Sequence, residues 1–194
     1  MDHEHQSTAT GAVARWGSWI YLALATVAIL WLGLRLGTIP LTLFVSTESW
    51  LLDLGIGVAA GAVLAGSWQV GVAFLPSARK VERTVAETIG PLGPGDVFVL
   101  ALLSGFSEEL FFRGAVQSQW GLVTATLLFG LLHLGPGREF RLWTAFALAA
   151  GAALGGLMLW RGALLAPVVA HAGVNLVGLA RLRKLAATPL RGGS

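Results

Sequence analysis

Val97-Phe98-Val99-Leu100-Ala101-Leu102-Leu103-Ser104-Gly105-Phe106-Ser107-Glu108-Glu109-Leu110-Phe111-Phe112-Arg113 is an uncharged run broken by two carboxylates and then a guanidinium, and uncharged sequence resumes from Gly114 to Gly137. A hydrocarbon core of about 30 Å takes about 20 apolar residues to cross as a helix. The run before Glu108 is too short for that, and the chain crosses only if the helix continues through the charges. An ionisable side chain at that depth costs at least about 2.5–3.5 kcal/mol on insertion scales. Three of them in one span are therefore read first as a functional site.

The rest of the composition agrees with a membrane setting. The 194 residues are 55% hydrophobic and 12% charged, with no cysteine, whereas soluble domains are about 25% charged. The mean hydropathy is +0.74. So few charges cannot cover a soluble globule, and the hydrophobicity excludes disorder. Without cysteine there is no disulfide scaffold. The net charge of +3 is small, and no Lys/Arg cluster is interleaved with aromatics, so no nucleic-acid partner is expected.

Working outward from Glu108, further spans are read at about Trp16 to Leu34, Leu54 to Leu75, Leu142 to Trp160 and Gly162 to Ala180. The third span starts near Val97, turns near Gln119-Trp120-Gly121 and is followed by a fourth. Met1 to Arg15 reads as a polar tail. Ser77 to Thr88 reads as a short interfacial helix, with Val81, Val85 and Ile89 at helical spacing between charges. The breaker run Gly90-Pro91-Leu92-Gly93-Pro94-Gly95 closes it. The expected fold is all-α: one domain over residues 1–194, a polytopic bundle of about six transmembrane helices with a polar site between the third, fourth and sixth. With the N-terminus inside, ten of the thirteen Lys and Arg fall on inner segments: Arg15, Arg79, Lys80, Arg83, Arg138, Arg141, Arg181, Arg183, Lys184 and Arg191. Both termini are therefore expected in the cytoplasm. Gly57-xxx-Gly61 and Gly151-xxx-Gly155 are read as close helix packing, a homodimer face being the alternative use.

Two more spans carry polar groups. The fourth holds Phe129-xxx-His133 and the sixth holds His171-xxx-Asn175, a spacing that puts each pair on one helical face. Glu109 and Arg113 share a face and neutralise one another, while Glu108 points about 100° away with no partner in its own helix. Counted from the span ends, Glu108, His133, His171 and Asn175 fall at similar depths, and they are expected to converge. Separately each has a bland reading, as a buried ion pair, an interhelical hydrogen bond or helix glue.

Glu108-Glu109-xxx-Arg113, Phe129-xxx-His133 and His171-xxx-Asn175, in that order on three membrane helices, resemble the three motifs of the CPBP family. These are intramembrane glutamic endopeptidases that include the CAAX prenyl endopeptidases. The resemblance covers about residues 96–180, and the N-terminal half carries no motif. It implies a peptidase whose catalytic residues are Glu108, His133, His171 and Asn175, with Glu109, Arg113 and Phe129 in support. Glu108 would be the general base and His133 its partner at the water. His171 and Asn175 would donate to the oxyanion, and Glu109 with Arg113 would brace the helix. No cofactor and no covalent nucleophile is required. The implied partners are a membrane-anchored protein or peptide substrate and the lipid bilayer. Some relatives cut prenylated C-terminal tails and others process membrane-anchored sorting tails.

Three alternatives stay open on the sequence. Glu108, His133 and His171 are the residue types of a His₂Glu metal site, although no His-Glu-x-x-His is present. A non-catalytic scaffold or immunity protein would keep the polar cluster for binding a partner's segment. An ion pathway is disfavoured, because Asp53 is the only acidic group in the other spans and sits at a membrane edge. The expected location is a prokaryotic plasma membrane, with the endoplasmic reticulum as the alternative.

Overall fold

Glycine and proline fix where the helices begin and end. The computed structural model describes residues 2–187, and among these every regular element is helical. Helix α1 (Asp2–Leu36) stops at Gly37, whose φ of 74° suits a residue without Cβ. A 3-10 turn at Leu41–Leu43 leads to α2 (Trp50–Phe74), capped by Ser49, whose hydroxyl accepts from the Leu52 amide at 3.3 Å. Pro76 opens α3 (Pro76–Ile89) and Pro94 opens α4 (Pro94–Glu109), each in the first turn, where an N–H has no helical acceptor to lose. A π-helical segment, Leu110–Gln117, continues α4 into α5 (Ser118–Leu131). Helices α6 (Phe140–Arg161) and α7 (Leu165–Ala186) complete the chain, separated by a left-handed Gly162 at φ 67°.

One expectation is corrected. The segment read as a polar tail is helical from Asp2, because no proline interrupts residues 2–36 and a single helix propagates through them. The bundle is polytopic as expected, with four to five candidate spans beside the about six read from the sequence. Residues 14–36, α2, α6 and α7 are each long and apolar enough to cross a membrane alone. Residues 94–131 pass only together with α3, bent from it by 109°, which makes five candidates. The charges of the site and the polar Gln117-Ser118-Gln119 run lower the hydropathy of exactly the region that was read as two spans.

The chain nevertheless reverses where a turn was expected. Gly121 breaks the helix at φ 83° and ψ 169°. Before it, Arg113 and Gln117 bond the carbonyls of Gly151 and Gly155, so the π segment runs parallel to α6. After it, Leu122 packs at Gly155 and Phe129 at Gly151, so α5 runs antiparallel to α6.

Glycine also sets the closest helix contacts. A Cβ on Gly57 would lie 2.7 Å from the Ala166 carbonyl oxygen, and one on Gly61 would lie 2.9 Å from that of Ala170. A Cβ on Gly105 would lie 2.7 Å from the Ala172 amide nitrogen. Helices α2 and α4 thus pack on α7 backbone to backbone, the arrangement small residues permit in lipid. Both glycine pairs singled out in the sequence are used inside the chain, Gly57 and Gly61 by α7, Gly151 and Gly155 by α5.

The ends of the bundle are pinned by ion pairs. At one end Arg161 holds Asp53 at 2.6 Å and Glu48 at 2.9 Å. At the other, Arg181 holds Glu82 at 2.6 Å and Lys80 holds Glu139 at 3.1 Å. The basic segments around α3, Glu139 and the end of α7 therefore gather at one end of the bundle. Arg191 lies outside the described residues. Ala78, Val81 and Ala86 form the buried face of α3, and Val81 packs with Trp68, Val72 and Phe140.

Candidate functional site

The two adjacent carboxylates of α4 sit in different surroundings. Glu109 is fully buried and its Oε1 accepts two bonds, from Arg113 Nη1 at 2.9 Å and from His171 Nδ1 at 2.7 Å. Glu108 is partly open, and its nearest charged neighbour is His171 Nε2 at 3.9 Å, beyond hydrogen-bond range. Arg113 reaches past Glu109 to donate to the Gly151 carbonyl at 3.0 Å, and its guanidinium lies 4.7 Å from the centre of the Phe129 ring. The wider turns of a π-helix are often found at functional sites. Here they put Arg113 and Gln117 on α6 together.

Phe129 joins the parts contributed by different helices. Its ring lies edge-on to His171 at 5.7 Å and against His133 at 4.5 Å between centroids. Its carbonyl accepts from His133 Nδ1 at 2.7 Å. A carbonyl and a carboxylate can only accept, so both histidines carry a proton on Nδ1 and present Nε2 elsewhere. His133 sits in the turn just beyond α5 rather than within the helix. Asn175, one turn after His171, donates from Nδ2 to the Ser104 hydroxyl at 2.7 Å.

Glu108, His133, His171 and Asn175 all line a single cavity of about 320 Å³. Its walls are largely aromatic and aliphatic, with Trp68 of α2, Val85 and Ile89 of α3, and Trp143 and Phe146 of α6. Glu109 and Arg113 stand behind this wall. The arrangement offers one exposed carboxylate, two imidazole Nε2 atoms and a carboxamide to whatever enters, in a chamber lined by apolar side chains. Among the described residues, no three His, Asp or Glu side chains are gathered closely enough to hold a metal ion. Glu108, His133 and His171 share the cavity without forming a ligand set.

Some participants were not singled out from the sequence. Ser104 serves as the acceptor for Asn175. Tyr21 of α1 lines the cavity. The available signal for Tyr21 was its being the only tyrosine in the chain, inside an otherwise apolar span. Trp68 and Trp143 were indistinguishable from membrane-interface tryptophans.

Residues 91–177 match the family model described as type II CAAX prenyl endopeptidase Rce1-like. This part of the chain is similar to that family. The Rce1-like segment runs from the breaker before α4 through most of α7, and so contains every motif residue of the site, while α1, α2 and α3 lie outside it. The chain is also 35% identical over 89 residues to the uncharacterized protein YpbD of Bacillus subtilis (strain 168), a match covering 45% of this chain and 46% of that one. The chain thus spans about half the length of the curated relative it matches. No solved structure matches it.

Proposed function

We propose that the chain is an intramembrane endopeptidase of the glutamic type, hydrolysing a peptide bond near the C-terminus of a membrane-anchored or lipidated substrate. The observation that carries this reading is the division of labour between the two carboxylates. Glu109 is consumed by Arg113 and His171, while Glu108 is left facing a buried cavity with His133 and Asn175. The Rce1-like segment containing them supports the same chemistry.

In the proposed reaction Glu108 takes a proton from a water that His133 Nε2 holds by accepting its other hydrogen. The water oxygen attacks the scissile carbonyl. The second Nδ2 hydrogen of Asn175, free of Ser104, donates to the oxyanion, as does His171 Nε2 whenever that ring is protonated. One such donor is typically worth about 10²–10³ in rate. Glu108 then passes its proton to the departing amide nitrogen, and the C–N bond breaks to give an amine and a carboxylic acid, which keeps the water's other hydrogen until it ionises into solvent. The Glu109–His171 bond fixes the orientation of the imidazole throughout.

The cavity is built from the second half of α2, the beginning of α6 and the second half of α7, the same halves that lead to the Glu82–Arg181 and Lys80–Glu139 pairs. With basic segments retained on the inner side, the substrate tail enters from the cytoplasmic leaflet and both termini are cytoplasmic. A prokaryotic plasma membrane is the proposed setting, supported by the bacterial relative.

Incubating the purified full chain with tail peptides, with and without a prenyl group and with and without chelator, tests the reading. Chelator-insensitive cleavage of at least one lipidated or membrane-anchored tail is expected. Retention of peptides without cleavage would replace the enzyme with a scaffold, and loss of cleavage with chelator would move the chemistry to a metal.

A further inference from the structure

Helix α2 lies outside the Rce1-like segment, yet its second half forms one wall of the cavity. Leu64, Ala65, Trp68 and Gln69 line it. Those four positions cover about 140° of the helix circumference, while Gly66, Ser67 and Val70 on the other side are exposed. The polar side chains of this stretch differ in what holds them. The Ser67 hydroxyl donates to the Leu64 carbonyl of its own helix at 2.7 Å. The Trp68 indole N–H donates to Glu82 of α3 at 3.3 Å. The partly buried Gln69 carboxamide bonds no other described residue. It carries two N–H donors and an acceptor oxygen. Polar groups left unpaired among apolar walls are costly, and that cost is recovered when a polar ligand meets them.

We infer that Gln69 is a substrate-binding residue: its carboxamide pairs with the main chain of the tail, donating to the C=O and accepting from the N–H of one extended residue. In an extended chain those two groups point to the same side, as they do when one strand pairs with another. A carboxamide carries a donor and an acceptor side by side and so matches them. The contact fixes the register of the tail without reading its side chains. Gln69 lies near the end of α2, on the half leading to Glu82 and Arg181, so it meets the tail at the entrance while Glu108 and Asn175 act on another residue of it. This rests on the proposed peptidase reading, and the experiment separates the two.

The full chain is purified as wild type and as Gln69→Met, and kcat and KM are measured on a cleaved tail peptide. Gln69→Met keeps the length of the side chain and removes its hydrogen bonds. KM should rise about tenfold, the worth of one or two neutral hydrogen bonds. Turnover should stay within about twofold, because the contact is made equally before and during the reaction. The contact is located by replacing the peptide N–H groups of the tail, one at a time, with ester oxygens. One such position should raise the wild-type KM and leave that of Gln69→Met unchanged. The unfolding midpoint of Gln69→Met in detergent should not fall, since nothing in the free chain uses the amide. A KM equal to wild type, ester effects that all persist in the variant, or a lower unfolding midpoint, which marks a structural amide, would each overturn the inference and leave the peptidase reading intact. If wild type cleaves no tail, the peptidase reading falls, and retention of the same peptides judges Gln69: weaker retention by Gln69→Met upholds the contact, and equal retention rejects it.

Discussion

Glu108 and Glu109 are neighbours in sequence and identical in chemistry, and what separates them is the number of groups that already use each. Glu109 Oε1 is shared by Arg113 and His171 inside the protein. Glu109→Ala would leave a guanidinium buried without its counter-ion and an imidazole without its acceptor, and Arg113→Ala would leave the carboxylate unpaired. Breaking one partner of a buried pair typically costs about 3–5 kcal/mol. Both variants should therefore unfold at lower temperature in detergent, besides losing activity. Wild-type thermal stability in both would remove the bracing role. His171→Ala should lower activity as well, through the lost Nε2 and through the freed Glu109 oxygen. The Glu109–Arg113 pair was legible from sequence, because helical spacing alone brings the residues together. The His171–Glu109 bond was not, since 62 positions separate the two and no local rule pairs them. The place of Tyr21 at the cavity was hidden for the same reason: the other cavity-lining residues lie on other helices or in its own helix four residues away.

At the scale of the helix, the site depends on how closely α4 approaches α7. Gly105 sits between Ser104 and Glu108 in the region where α4 meets α7, and a Cβ there would collide with the Ala172 backbone. Gly105→Ala should push α4 away from α7, stretching both the Ser104–Asn175 and Glu109–His171 bonds. The expected outcome is lost turnover together with a lower midpoint of thermal unfolding. Gly66→Ala is the control, since nothing lies within 4 Å of a Cβ at that position. It should leave both quantities near wild type. If Gly105→Ala behaved like Gly66→Ala, the close α4–α7 contact would not matter to the site. Helix existence was readable from runs of apolar residues and from Gly and Pro breaks, and the reversal at Gly121 was anticipated by its polar flanks. The length of α1 was misread because helices do not stop at the membrane surface when no breaker stands there. Residues 94–131 pass as a span only together with α3, because the charges of the site make them a poor span by composition.

Across the whole molecule, the separation of ion pairs into two ends fixes an axis. Arg161 with Asp53 and Glu48 marks one end, and Glu82–Arg181 with Lys80–Glu139 marks the other, nearer the cavity. The chain has no cysteine, so single cysteines can be placed and labelled without background. Arg83→Cys should be labelled only from the cytoplasmic side, and Glu48→Cys only from the opposite side. The reverse pattern would invert the topology. The glycine pairs read as close helix packing do pack against helices of the same chain, and the identity of the partner helix was hidden because a small-residue stripe reads the same whether its partner is α7 or another chain. The central claim remains that the open carboxylate performs the hydrolysis in this chamber, and Glu108→Gln tests it most directly, by following cleavage and substrate retention on the same purified protein. The variant keeps the shape and removes the base, so cleavage should fall by about 10²–10⁴-fold, the usual worth of general acid–base catalysis, while retention of the tail peptide is unchanged. Wild-type turnover by Glu108→Gln would contradict the account.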